Sequence, residues 1–125
     1  MKNEEIAKDA DQTLTELIEL VEAIPAEKFN MVPFKDSWTA GQLAQHMVMA
    51  NSGFADVVNG PIKDTERAPD VMVEKIKADF LNFDIVMSSP DFLRPEKKNY
   101  DQDGLLVALS GIKTDITTAA ATLDL

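Results

Sequence analysis

The feature that most constrains this chain lies near its end. Leu105, Leu109, Ile112, Ile116, Ala119 and Leu123 follow one another at steps of four and three. A strand repeats about every two residues and a helix about every 3.6, so only a helix puts these six side chains in one line. A stripe of this kind is a bundle seam, and it folds only against other apolar stripes.

The remainder of the sequence offers three such stripes. Ile6, Ala10, Leu14, Leu17, Val21 and Ile24 recur at helical spacing, with Glu4, Glu5, Asp9, Asp11, Glu16, Glu19 and Glu22 on the opposite face. Acidic residues suit the positive end of a helix dipole, and Pro25 stops the run. A second helix is predicted to start near Ala40, because Thr39 and Gln42 have the spacing of a capping box. Its stripe is Leu43, Met47, Ala50, Phe54 and Val57, and Asn59-Gly60-Pro61 ends it. A third is predicted from Asp70, as N-cap, to Met87, with Val73, Ile76, Phe80, Phe83 and Met87 on one face before Ser88-Ser89-Pro90 breaks it. No segment alternates like a strand between turn signals. The expected fold is all-α, an up-and-down four-helix bundle, in a single domain over residues 1–125.

The second helix is unusual. Between Thr39 and Val58 only Asp56 carries a fixed charge, in a chain whose formal net charge is −10. A helix so poor in charge can be covered on several sides, so it is expected at the centre of the bundle. The overall charge argues against nucleic acid and anionic membrane surfaces as partners. The densest basic cluster, Arg94, Lys97 and Lys98, sits in one loop and is diluted by Glu96. The N-terminus is polar and acidic, unlike a signal peptide, and no apolar run approaches membrane-spanning length. There is no cysteine, which removes disulfides and thiolate chemistry and fits a reducing cytoplasm.

The only histidine, His46, lies on the second helix. With Leu43 as the zero of a helical wheel, His46 falls about 60° to one side, at the edge of the apolar stripe. Ala50 and Gly53 lie beside it, so a ligand or a closely packed helix has room there. One reading is a half-buried imidazole hydrogen-bonded to a neighbouring helix; another is a metal ligand. No carboxylate stands three or four residues from it, because positions 42, 43, 49 and 50 are Gln, Leu, Met and Ala. No H-E-x-x-H, phosphate loop or G-x-S-x-G elbow is present.

The run "PFKDSWTAGQLAQHM" resembles the second-helix signature of the DinB-like superfamily, the DNA-damage-inducible or YfiT-like metal-dependent hydrolases. In that signature a Trp-Ser/Thr helix start is followed by Gly or Glu, a small apolar pair, and a histidine further in. Here these are Trp38, Thr39, Gly41, Leu43, Ala44 and His46. "AIPAEKFN", "FLRPEKKNY" and "TAAATLDL" extend the likeness more loosely. The resemblance implies a four-helix bundle, commonly a homodimer, that binds divalent nickel or zinc through three histidines. The first of these matches His46, and the other two stand four residues apart on a final helix. This sequence has neither of those two. Either a helix carrying them lies beyond Leu125, or the metal site has been lost and the bundle closes against a neighbour.

Three functions are therefore expected to compete. The first is a metal-dependent hydrolase or thiol-dependent transferase whose site is incomplete in this chain, with His46 as the ligand present and a small molecule or thiol as substrate. The second is a non-catalytic, dimeric helical interaction module. The third is ligand binding in an apolar pocket of Met47, Ala50, Gly53 and Phe54.

Overall fold

The computed structural model describes residues 2–124. The described residues are helical and irregular, without strands. The helices are α1 (Asn3–Ala23), α2 (Ala26–Phe29), α3 (Ala40–Asn51), α4 (Phe54–Val58), α5 (Val73–Phe80) and α6 (Gln102–Thr122), with a 3₁₀ turn at Asp91–Leu93. The all-α helical bundle expected from the periodicity is what forms.

Its spine is the pair α1 and α6, which share the most extensive packing in the molecule. They run antiparallel, as the bonds at their ends show. At one end Asn3 Nδ2 donates to the Leu123 carbonyl at 2.5 Å. At the other, Gln102 Nε2 donates to the carbonyls of Val21 and Ile24, each at 2.9 Å. The last carbonyls of a helix lack the donors of a further turn, so Gln102 partners the Ile24 carbonyl and adds a second donor to that of Val21, which also accepts the Ile24 N–H at 3.3 Å. Between the ends, Lys113 Nζ lies 3.4 Å from a carboxylate oxygen of Asp11.

The seam on α6 is buried as its spacing requires. Leu105, Leu109, Ile112 and Ala119 are inside, joined by Ala120. Leu105 and Leu109 form the main core with Val21, Phe29 and Ala44, and Leu17, Ile18, Ile24, Met47 and Val48 pack around it. Phe29 and Leu109, each 1% exposed, contribute roughly 2–3 kcal/mol apiece by leaving water. Phe29 reaches the core from the single turn of α2.

α3 starts where the capping box places it. Gln42 N–H donates to Thr39 Oγ1 at 3.0 Å and Thr39 N–H donates to Gln42 Oε1 at 2.9 Å. Three expectations need correction. The second helix is broken, with α3 stopping at Asn51 and α4 resuming at Phe54. Asn51 Nδ2 donates to the Met47 carbonyl at 2.7 Å and Ser52 Oγ donates to the Val48 carbonyl, side-chain bonds that weaken a helix at its end. The buried face of α3 is Gly41, Gln42 and Ala44, whereas Leu43 is 54% exposed. The helix in the middle of the bundle is α6, on which α1, α3 and α4 all lean.

The third predicted helix is shorter than Asp70–Met87. α5 begins after Met72 and ends at Phe80, beyond which Asn82 Oδ1 accepts the Asp84 N–H at 3.1 Å in a turn that competes with helix. α5 buries none of its residues, so nothing in the core extends it. No helix among the described residues is long and apolar enough to cross a membrane.

Candidate functional site around His46

Two elements meet at the imidazole. α3 carries His46 on a rigid turn, and the 3₁₀ turn Asp91–Leu93 packs against α3. His46 Nδ1 lies 2.8 Å from the carbonyl oxygen of Leu93. A carbonyl only accepts, so Nδ1 carries the proton and donates it. In the neutral ring the lone pair is then on Nε2, the nitrogen left free to take a proton or bind an electrophile. Fixing one ring nitrogen on a backbone carbonyl is the usual way that proteins orient a working histidine.

Trp38 supplies one wall. Its ring centroid lies 5.4 Å from that of His46, with the planes inclined at 56°. Trp38 directly precedes the capping residue Thr39, so the bonds that start α3 also set the indole beside the imidazole. The approach to Trp38 is a turn in which Ser37 N–H donates to the Phe34 carbonyl at 3.1 Å. Asp36 occupies the left-handed region there with φ 64°, a conformation that Asp tolerates better than most side chains.

A second pair, without a signature in the sequence, braces the start of α3. Asn30 Nδ2 donates to the Tyr100 carbonyl at 3.0 Å, and Tyr100 N–H donates to Asn30 Oδ1 at 2.8 Å. The amide of Asn30 thus clamps the end of the last loop, just before α6, to the end of α2. Gly41 lies against this clamp: a Cβ there would sit 2.7 Å from Asn30 Oδ1 and 3.2 Å from the Phe29 ring. The glycine of the second-helix signature is a close-approach residue.

The expected binding residues separate. His46 and Trp38 are brought together. The apolar pocket of Met47, Ala50, Gly53 and Phe54 does not form, because Met47 packs against the core while Ala50, Gly53 and Phe54 are exposed. The signal for the true partner of His46 was weak, since a backbone carbonyl has no sequence identity.

The described residues form an all-helical bundle with one imidazole oriented beside a tryptophan. The chain belongs to the DinB superfamily, whose family description matches residues 9–124. No curated protein and no solved structure matches it.

That superfamily is associated with metals, so the fit of a metal can be tested on the residues here. Nε2 of His46 has the chemistry of one donor. Among the described residues, however, no three His, Cys, Asp or Glu side chains come together to hold an ion. A catalytic centre normally takes about three protein ligands. The residues described do not fit a complete metal centre.

Proposed function

We propose that this chain is a small-molecule enzyme of the DinB type, hydrolytic or thiol-transferring, with Nε2 of His46 facing the reacting atoms. The observation that carries this reading is the 2.8 Å contact from Nδ1 to Leu93, which commits the neutral ring to one tautomer. Nε2 accepts the proton of a water or small thiol as its oxygen or sulfur attacks an electrophilic carbon. The imidazolium then returns that proton to the leaving group. Nickel or zinc would take Nε2 as a single donor and needs further ligands from outside the described residues.

A second reading is a non-catalytic module that pairs with another copy of itself. It is favoured by the exposure of Phe80, Phe83, Val86 and Met87, which are 70, 88, 94 and 72% accessible. Apolar surface of this extent is uncommon on monomers. Either way the working compartment proposed is the cytoplasm, in keeping with a chain that has no cysteine.

The test is ester hydrolysis and thiol addition on activated acetyl substrates with wild type and His46→Ala. The enzyme reading expects a rate loss of about 100-fold or more in the variant. Equal rates, together with a concentration-dependent dimer in sedimentation, favour the module.

A further inference from the structure

Beside Trp38 lies an open groove of about 680 Å³. Trp38, Val86 and Met87 supply apolar surface, and Arg94, Lys97 and Asp36 supply charge. Two cations in one groove stand out in a chain of net charge −10. The turn that holds His46 through Leu93 continues directly into Arg94, so the imidazole and this charge are set by the same few residues.

The two cations are incompletely neutralised. Arg94 is oriented by its Nε–H, which donates to the Ser89 carbonyl at 3.1 Å. Its nearest carboxylate, Asp91, is 3.8 Å away with a side chain 98% exposed, so water screens the pair. Lys98 is engaged elsewhere, 3.9 Å from Glu96 and over the Tyr100 ring. Lys97 has no carboxylate within ion-pair distance among the described residues, and it also lines an adjoining groove of about 400 Å³. Among the lining residues Asp36 is the one carboxylate against these two cations, a net of one positive charge before the water-screened Asp91 at the rim is counted.

We propose that this groove binds a small organic monoanion with an apolar body. The anionic end meets Lys97 and Arg94, and the apolar end covers Trp38, Val86 and Met87. A single positive charge suits one carboxylate, while the surrounding negative field disfavours a polyanion. Val86 and Met87 are 94 and 72% exposed, and an aliphatic tail would remove them from water. As a substrate class, this deepens the enzyme reading and rests on it only for the role of His46. The binding claim stands apart from catalysis.

Trp38 is the only tryptophan, so its emission reports the groove directly. Wild-type protein is titrated with hexanoate, hexylammonium and inorganic phosphate, with circular dichroism as a folding control. Hexanoate is expected to shift the emission saturably, and the two other probes are not. Combined Lys97→Gln and Arg94→Gln substitutions should weaken hexanoate by about tenfold or more. A milder Lys97→Gln change alone should weaken it by a smaller factor, which keeps the claim testable if the double variant misfolds. Hydrolysis and thiol addition by the wild-type protein are assayed separately, so that absent catalysis and an absent groove are told apart. No saturable response to hexanoate, an equal response to hexylammonium or phosphate, or binding indifferent to both cation changes would overturn the assignment.

Discussion

His46 and Leu93 are 47 positions apart in sequence, yet the ring Nδ1 of one lies 2.8 Å from the backbone oxygen of the other. This bond ties α3 to the 3₁₀ turn and decides which nitrogen of the ring remains free. Because the acceptor is backbone, substitution of Leu93 would leave it in place, whereas loss of the imidazole orphans the Leu93 carbonyl. His46→Ala is expected to cost about 1–2 kcal/mol in urea unfolding, the range for an unmade partly buried hydrogen bond. An unchanged midpoint would mean that the bond contributes nothing to stability.

Two glycines should respond in opposite ways to the same substitution. Gly41→Ala drives a methyl group to 2.7 Å from Asn30 Oδ1, which the Tyr100 N–H already holds. Overpacking of this kind costs about 1–3 kcal/mol. Gly53 has nothing within 4 Å of an added Cβ and a φ of −93° open to any residue. Gly53→Ala is therefore expected to be neutral or to stabilise by up to about 1 kcal/mol, through the unfolded chain. Thermal melts of the two variants check the pair.

The long helices were legible because their signals are local and repeated. Five apolar positions in phase on α6, with Leu123 at its cap, outvote any single exception, and the Thr39–Gln42 box is complete within four residues. The inner face of α3 was not legible from apolarity alone. There the chain buries Gly41, Gln42 and Ala44 and leaves Leu43 half outside, since close helix approach rewards small residues over large ones. The apolar period of the third helix runs past its end, because Phe83 and Met87 keep the period of α5 but find no surface to pack on. His46 stands out in the sequence by its uniqueness and its position on the wheel. Its partner, a backbone oxygen, could be found only in three dimensions.

Two threonines offer a test of polar burial. Thr15 Oγ1 on α1 and Thr117 Oγ1 on α6 are shielded from solvent without a hydrogen-bond partner among the described residues. A buried hydroxyl left unpaired costs about 1–3 kcal/mol. Thr15→Val and Thr117→Val keep the shape and remove the cost, so each should raise the denaturation midpoint. A fall in stability for both would show that the hydroxyls are paired in solution.

Tyr100 is the only tyrosine, which makes its titration unambiguous by ultraviolet absorbance. Burial, reinforced by the Glu96 carboxylate, holds its phenol above the ordinary 10.0. A group raised in the folded state stabilises fully below its unfolded value and ceases to do so as pH rises through its folded value. Stability should therefore decline with pH above about 10. Tyr100→Phe should remove that part of the decline, and a titration midpoint at or below the ordinary value would contradict the assignment.

The central claim is that His46 keeps its proton on Nδ1 and presents Nε2. With one histidine in the chain, nitrogen-15 NMR of selectively labelled protein reads the tautomer directly at a pH where the ring is neutral. The expected spectrum shows a protonated Nδ1 and an unprotonated Nε2. A proton on Nε2, or rapid averaging between the two nitrogens, would contradict the site as described.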